Sequence, residues 1–315
     1  MTLLRYLAGF IAACSLTAGA PAQDNYPARI IRIVTSAPGS NNDWGSRLLG
    51  DEISPSLGRR VIVENRGGLA AEVVAKSPPD GYTLLFYGPA AWTLQLFRPV
   101  GFDPVRDLAP VLMAISSPIV LVVHPSVPVR SVKELIALSR ARPGALNYSS
   151  GTIGATPFIA GELFKYMAKV NIVRVPYSGT GPSVIGLVSG EVELMFPGAG
   201  SVWHFVEQKR LRALGVASAR PSALTPGLQP IALTVPGYEA TSNMAFFVPA
   251  KTPAAIINRL NRELMAALAK PDVREKLLKG GVEAVGGTPE ELGAYVRADI
   301  ARIEQLIRHA GIVAR

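Results

Sequence analysis

Short apolar runs alternate with longer amphipathic stretches from residue 30 to the end of the chain. The first run, 30–34, is rich in β-branched residues and short enough to be a buried strand. A small polar loop at 36–43 follows, and the stretch 43–57 then places apolar residues at helical intervals until Gly58. Repeated along the chain, this alternation predicts an α/β protein.

The same pattern predicts further strands and helices. Strands are predicted at 61–64, 83–87, 146–149, 173–176, 192–196 and 214–217. Helices are predicted at 70–76, 131–141, 157–167, 182–188, 201–209, 253–269 and 289–309. The apolar run 111–123, broken by Ser116, Ser117 and Pro118, is long enough for two consecutive strands that pass from one domain to another.

Length and composition favour a well-packed globular protein, because the chain has 315 residues, of which 49% are hydrophobic and 17% charged. This length allows two domains of ordinary size. The net charge of +9 favours anionic partners through long-range attraction. The basic residues are scattered beside acidic ones, as at 259–263 and 274–276, and no basic run alternates with aromatic residues. We therefore expect no nucleic-acid partner.

Residues 1–22 have the features of a secretory signal peptide. Arg5 stands near the start, an apolar segment covers 7–16, and small residues end at Ala22 in an A-x-A cleavage pattern. Cys14 is the only cysteine of the sequence and lies within this segment, so the mature chain can form no disulfide. The residues before Cys14 also resemble a lipoprotein box, in which that cysteine is lipidated. We expect a periplasmic protein, either cleaved after residue 22 or anchored at Cys14.

The sequence offers few residues for catalysis or metal binding. The three histidines are His124, His204 and His309, and they are far apart in the chain. No zinc-protease, serine-hydrolase or phosphate-loop motif occurs. We therefore expect no catalytic residue, no metal ion and no cofactor.

Three predicted helices begin after small polar loops, near Asn42, Thr156 and Gly181. The start of a helix carries about half a positive charge and unpaired N–H donors. If two or three of these ends meet at one cleft, they would bind a carboxylate without a metal ion. If they do not meet, they are ordinary helix caps that point to water. Sequence spacing leaves both interpretations open.

Several short motifs occur in a defined order between residues 26 and 312. They are YPARIIRIV at 26–34, the Pro38-Gly39 loop with Asp43 and Arg47, VENR at 63–66, PDGYTL at 79–84, VRSVKEL at 129–135, NYSS at 147–150, AGELF at 160–164, VPYSG at 175–179 and PGYEA at 236–240. This ordered series resembles the tripartite tricarboxylate transporter receptor family, whose members are also called Bug proteins. The resemblance covers nearly the whole mature chain.

The resemblance implies an α/β protein with a two-domain, periplasmic-binding-protein-like type II clamshell. The first domain would take residues 26–119 plus 241–315, and the second 120–240. Such a receptor is expected to be a monomer that captures a small carboxylate or related polar compound between its domains. It would deliver this ligand to the membrane permease subunits of a tripartite transporter. Two alternatives are a sensory co-receptor for a membrane kinase and an exported hydrolase, which the missing nucleophile and base disfavour.

The resemblance also implies where the ligand lies, between the loop after the first strand and two helix-opening loops of the second domain. The matching ligand-binding residues are Pro38, Gly39, Ser40, Asn41, Asn42, Asp43, Ser150, Gly151, Thr152, Gly154, Thr156, Tyr177, Gly179, Thr180 and Pro197. Backbone N–H groups of the first loop would bind one carboxylate end, and hydroxyls such as those of Ser150 or Thr156 the other. For Asp43, a cap of the following helix is the favoured role.

The chain departs from the family pattern within these loops. Ser40 and Asn41 follow Gly39 where the family usually has paired glycines, which narrows backbone freedom and adds side-chain donors. Pro197 stands where many relatives carry an acidic or amide residue, and Phe158 where His is common. These differences argue against the usual citrate-like and acidic amino-acid ligands. They predict a first loop that binds with side-chain amides.

Overall fold

The computed structural model describes residues 26–218 and 224–310, and this part of the chain contains two sheets and ten α-helices. The strands are β1 (Ile31–Thr35), β2 (Val61–Asn65), β3 (Thr83–Tyr87), β4 (Leu108–Pro118), β5 (Val120–Val123), β6 (Asn147–Ser150), β7 (Val173–Pro176), β8 (Leu194–Met195), β9 (Arg212–Val216), β10 (Thr241–Pro249) and β11 (Glu283–Ala284). The helices are α1 (Asn41–Leu57), α2 (Ala70–Ala75), α3 (Ala90–Thr93), α4 (Val132–Ala141), α5 (Thr156–Ala168), α6 (Thr180–Val188), α7 (Trp203–Glu207), α8 (Ala254–Ala269), α9 (Pro271–Lys279) and α10 (Pro289–Ala310). The predicted signal peptide, with Cys14, lies outside the described residues.

Two mixed sheets organise the chain. The first has the order β11-β4-β10-β3-β1-β2, with β2, β1 and β3 parallel and β10 antiparallel to both of its neighbours. The second has the order β7-β6-β8-β5-β9, with β7, β6 and β8 parallel and β5 antiparallel to its neighbours. We call the part built around the first sheet lobe 1 and the part built around the second lobe 2.

The crossing from lobe 1 to lobe 2 occurs where the sequence predicts it. β4 ends at Pro118 and β5 begins at Val120, so Ile119 alone separates a strand of one sheet from a strand of the other. The chain returns to lobe 1 at β10, which lies between β3 and β4. The predicted α/β class is confirmed, while the domain bounds 26–119 plus 241–315 and 120–240 stay a prediction.

The core of lobe 1 explains why the first motif forms a strand. Ile31 and Ile33 of β1 pack into the cluster that contains Leu49 and Ile53 of α1, whereas Val34 belongs to the cluster on the other face. All five of these side chains are fully buried. A strand covered on both faces needs apolar side chains on both of them, which Ile31, Ile33 and Val34 supply.

A smaller apolar cluster joins the two lobes. Phe97, which follows α3, and Ile303 of α10 pack against Phe158 and Ile159 of α5. The rings of Phe97 and Phe158 meet edge to face, with centroids 5.2 Å apart. Lobes 1 and 2 therefore share buried apolar surface beside the N-terminal end of α5.

The observed elements differ from the predicted ones in a few places. α6 begins at Thr180, two residues before the predicted proline start, and the strand predicted at 192–196 shortens to Leu194–Met195. α3, α9 and β10 have no counterpart in the predicted pattern. Within residues 26–218 and 224–310, no helix combines the length and the apolar character that crossing a membrane requires.

Candidate functional site

A cavity of about 340 Å³ lies between lobe 1 and lobe 2. Its size is at the lower end of small-molecule sites, which fits a compact ligand. Hydroxyl, amide, glycine, proline and small apolar residues form its wall. Among the described residues that line it, none has a charged side chain. We call the part of the lining from the first loop, 67–68, 87–90 and β10 the lobe 1 wall, and the part from 151–157, 178–182, Gly198 and Ser201 the lobe 2 wall.

The first loop is held by side chains at the start of α1. Ser40 is the N-cap, and its hydroxyl oxygen accepts a hydrogen bond from the Asp43 N–H at 3.1 Å. The same hydroxyl donates to the Ala37 carbonyl at 2.9 Å, which closes the loop on itself. Gly39 has φ +75°, a left-handed conformation that glycine adopts without strain. The loop therefore has its own internal support.

Asp43 acts within this loop rather than on the cavity. Its carboxylate accepts hydrogen bonds from Gly39 N–H at 3.0 Å, Arg47 Nε at 3.0 Å and Asn65 Nδ2 at 2.9 Å. Burial alone would raise the pKa of this carboxyl, but the bonds from Asn65, Gly39 and Arg47 together lower that pKa below its ordinary value. The sequence predicts Asp43 as the cap of α1, but the cap is Ser40. The Asp43 carboxylate instead accepts the N–H of Gly39, the residue before the cap.

The first turn of α1 faces the cavity through Asn41 and Asn42. In the described part of the chain, neither backbone N–H of these two residues has a hydrogen-bond partner. The Oδ1 atom of Asn42 is buried, and it too has no partner among the described residues. The Oδ1 atom of Asn41 instead accepts a long bond, 3.4 Å, from the Ser201 hydroxyl of lobe 2.

The lobe 2 wall presents two more helix starts. α5 follows Ala155 and α6 follows Gly179, and neither of these N-cap residues makes a side-chain cap. The first turns of both helices line the cavity, as does that of α1. The three helix starts predicted as possible anion sites therefore meet at one place. The described lining has no charged side chain, but the three helix starts bring partial positive charge and N–H donors to it. These features give the cavity an affinity for anions.

The lobes touch directly beside the cavity. The Thr93 hydroxyl of α3 donates to the Gly154 carbonyl of lobe 2 at 2.7 Å. The backbones of Gly200 in lobe 2 and Gly280 in lobe 1 are so close that a Cβ at Gly200 would lie 2.0 Å from the Gly280 carbonyl oxygen. These contacts, with the Asn41 to Ser201 bond, hold the two walls against each other.

Nine of the fifteen predicted ligand-binding residues line the cavity and six do not. The residues at the wall are Pro38, Ser40, Asn41, Asn42, Gly151, Thr152, Thr156, Gly179 and Thr180. The six that the structure does not bring to the wall are Gly39, Asp43, Ser150, Gly154, Tyr177 and Pro197. The sequence therefore located the loops but not the direction of each residue within them.

Contacts inside lobe 2 explain several of these absences. The Ser150 hydroxyl accepts a bond from Arg174 Nε at 2.7 Å, and the side chain is fully buried. The Tyr177 ring lies over Gly186 of α6, where a Cβ would come within 2.3 Å of its hydroxyl. The Pro197 carbonyl accepts the Val120 N–H at 2.9 Å. The hydroxyl expected from Ser150 is thus committed to Arg174, whereas that of Thr156 is at the wall.

Other parts of the wall were missed by the sequence interpretation. Tyr87 and the three residues after it line the cavity at the end of β3, and Ser242 and Met244 line it from β10. Burial raises the pKa of Tyr87 to about 12, and its hydroxyl donates to the Gly67 carbonyl at 3.0 Å. The residues after β3 could have been predicted from the sequence as part of the wall, because ligands of α/β sheets bind at the carboxyl ends of parallel strands.

The chain is similar to proteins of one family over most of its length. The family model described as TctC, tripartite tricarboxylate transporter family receptor, matches residues 46–312. The structure of Rpa4515 from R. palustris with adipate is 35% identical, with TM-score 0.88 over 91% of this chain and 99% of Rpa4515. The periplasmic binding protein BugD is 25% identical, with TM-score 0.86 over 91% of this chain and 99% of BugD. MatC (Rpa3494) from Rhodopseudomonas palustris, with bound malate, is 26% identical, with TM-score 0.84 over 90% of this chain and 100% of MatC. The predicted periplasmic-binding-protein-like clamshell is confirmed by these matches.

Proposed function

The chain belongs to the tripartite tricarboxylate transporter receptor family, and on that basis we propose that it captures a small carboxylate in the cavity between its lobes. It works in the periplasm and delivers the ligand, as a monomer, to the membrane subunits of a tripartite transporter. The observation that carries this proposal is the meeting of the N-terminal ends of α1, α5 and α6 at one cavity, whose described lining has no charged side chain.

An ionised carboxylate suits this cavity for an electrostatic reason. Each helix start carries roughly half a positive charge, and N–H groups that bind an ionised acceptor form stronger bonds than those between neutral groups. Because the described lining has no acidic side chain, no fixed negative charge opposes the ligand. The adipate of Rpa4515 and the malate of MatC are carboxylates of this size class, which supports the assignment.

Capture follows from the position of the cavity between the lobes. A ligand that contacts both walls stabilises the arrangement in which the lobes touch, and it shifts the population toward that arrangement. In that arrangement, the bond from Thr93 to Gly154 and the bond between Asn41 and Ser201 join lobe 1 to lobe 2 beside the occupied cavity. We assign no catalytic step to the site, and export through residues 1–22 stays part of the proposal.

A thermal-shift screen of the purified protein tests this function. The compounds are mono- and dicarboxylates, aromatic acids and small neutral amides, with sodium chloride and sodium sulfate at matched ionic strength as controls. A ligand at 100 times its dissociation constant stabilises the folded protein by about 2.7 kcal/mol. We expect at least one carboxylate to raise the midpoint well beyond the salt controls. A screen in which no carboxylate does so contradicts the proposal.

A further inference from the structure

Two buried polar atoms at the cavity wall have no hydrogen-bond partner among the described residues. One is Oδ1 of Asn42 on the lobe 1 wall, and the other is Oγ1 of Thr156 on the lobe 2 wall. Thr156 is only 5% exposed. Buried polar groups are normally paired, because an unpaired one loses its bonds to water without compensation. Both atoms therefore point to groups that a ligand supplies.

The chemistry of the two atoms restricts that ligand. A threonine hydroxyl can donate to a carboxylate, so a plain carboxylate satisfies Thr156. The carbonyl oxygen of the Asn42 amide can only accept, and a carboxylate is also only an acceptor. With the amide oriented as in this structure, a ligand that offers nothing but carboxylates leaves Asn42 Oδ1 unpaired and next to negative charge. A ligand with an O–H or N–H group satisfies it.

The surroundings of Asn42 indicate where that donor lies. Asn42 is at the second position of α1, and its backbone carbonyl accepts the Ser46 hydroxyl at 2.6 Å, so the helix fixes its position. A Cβ added to Gly88, which follows β3 at the wall, would lie 3.9 Å from Asn42 Oδ1. The amide oxygen is thus directed toward the end of β3, where glycine leaves space for a ligand group.

A neutral donor fits this place better than a charged one. An ammonium group buried there would need an anionic partner, and the described lining supplies no acidic side chain. The nearby helix start is itself partly positive and would repel it. A hydroxyl or a primary amide meets neither obstacle. This distinction separates hydroxy acids and amide acids from amino acids of the same length.

Resting on the proposed function, we propose that the ligand is a small carboxylate that also carries a neutral hydrogen-bond donor, and that Asn42 selects for this donor. The carboxylate binds to the helix starts, and the hydroxyl or amide of the ligand donates to Asn42 Oδ1. Asn42 is then a specificity-determining residue of this chain.

Calorimetric titration with matched acids tests the inference. The pairs are malate with succinate, lactate with propionate, and 2-hydroxyadipate with adipate, so that each pair differs by one hydroxyl, and aspartate is the ammonium probe. We expect the hydroxylated acid of the tightest pair to bind about tenfold or more tightly than its partner, because the partner leaves a buried acceptor unpaired. Aspartate should bind more weakly than malate.

Two variants identify the residue responsible. Asn42→Ala should reduce the preference within the tightest pair to about threefold or less, because the acceptor is removed. Asn171→Ala, at an exposed asparagine of lobe 2 that does not line the cavity, is the control and should retain the preference. Thermal melts of both variants without ligand verify that each is folded.

The outcomes separate the inference from the proposed function. Three results would overturn the role of Asn42. They are equal binding within every pair, a preference that survives in Asn42→Ala, and binding of none of the six acids. If another carboxylate of the screen still binds in any of these cases, the receptor function stands. If no carboxylate binds at all, both proposals fail.

Discussion

The lobe 1 wall and the lobe 2 wall of the cavity are built in different ways. α1 is capped by Ser40 and supported by the Asp43 carboxylate, and it faces the ligand with two asparagine side chains. α5 and α6 follow Ala155 and Gly179, which provide no side-chain cap. One wall therefore presents asparagine amides, whereas the other presents two helix starts together with hydroxyl side chains such as that of Thr156.

Individual glycines of the two walls differ in how much space surrounds them. A Cβ at Gly151 would lie 3.0 Å from the Cα and carbonyl carbon of Gly179, because the two loops of lobe 2 touch backbone to backbone. Gly67 and Gly68 of the lobe 1 wall have nothing within 4 Å of such a Cβ. Backbone atoms cannot move away from an added Cβ as easily as the end of a flexible side chain can. Gly151 should therefore tolerate an added side chain less well than Gly67 and Gly68.

The largest expected effect comes from crowding the lobe 2 wall. Gly151→Ala should weaken binding of the best carboxylate by about 5- to 150-fold, because overpacking at a backbone contact costs about 1 to 3 kcal/mol and moves both loops. Gly181→Ala is the matched control, since a Cβ there meets nothing within 4 Å. Calorimetry measures both. Equal losses in the two variants would mean that the backbone contact is not what shapes this wall.

A second test removes the support of the lobe 1 wall. Asp43→Asn should lower the free energy of unfolding at pH 7 by about 1 to 3 kcal/mol, because charged hydrogen bonds are lost. The folded-state pKa of Asp43 is depressed, so its contribution is full above the unfolded pKa of about 3.9 and is lost as the pH falls through the folded value. Urea unfolding at pH 7 and pH 3 should show the gap between wild type and variant narrowing at the lower pH.

Asp272 provides the control for this second test. It is also a first-turn aspartate, in α9, with Lys276 four residues on, but it is exposed. Asp272→Asn should change the stability little at either pH, because exposed ion pairs contribute little. A gap for Asp43→Asn that does not depend on pH would contradict the assignment of its carboxylate as the support of the loop.

A smaller effect is expected from the bond that joins the walls. Thr93→Val keeps the shape of the side chain but removes the hydroxyl that donates to the Gly154 carbonyl, and it should weaken ligand binding by about fivefold. Thr252→Val removes a bond of 2.7 Å to the Pro249 carbonyl inside lobe 1 and is the control. Its affinity for ligand should match the wild type. If Thr93→Val also binds normally, the bond does not contribute to closure.

The smallest effect concerns the second asparagine of the lobe 1 wall. The bond between the Ser201 hydroxyl and Asn41 is 3.4 Å long, near the limit for a hydrogen bond. Asn41→Ala should therefore change affinity by no more than about threefold, as equilibrium titration would show. A loss beyond tenfold would mean that Asn41, and not only Asn42, contacts the ligand directly.

The strand, loop and helix at the start of the chain could be predicted because their signals are local. The β-branched run of β1 is buried on both faces, and Gly58 takes the left-handed φ of 64° that ends α1. β10 could not be predicted in the same way, because its first residues are polar and partly exposed. α3 has four residues, too few to show a helical period.

The site was predictable in its loops but not in its side-chain directions. The three polar loops are visible in the sequence, yet their meeting depends on contacts between residues more than a hundred positions apart, such as Asn41 and Ser201. Ser150 and Thr156 both carry hydroxyls and stand in the same loop region. Only the position of Arg174, on the neighbouring strand β7, decides that the Ser150 hydroxyl is occupied.

The place of β10 in its sheet has a consequence for how the chain folds. The strands of lobe 2 lie between residues 120 and 216, whereas β10, at 241–249, comes later in the chain and completes the middle of the lobe 1 sheet. During synthesis, β3 and β4 must wait for β10 with unpaired edges, and such edges promote association with other chains. Contacts that are this distant in sequence also form slowly. Substitutions in β10 away from Ser242 and Met244, which line the cavity, should therefore reduce the yield of folded protein before they affect the affinity of the protein that does fold.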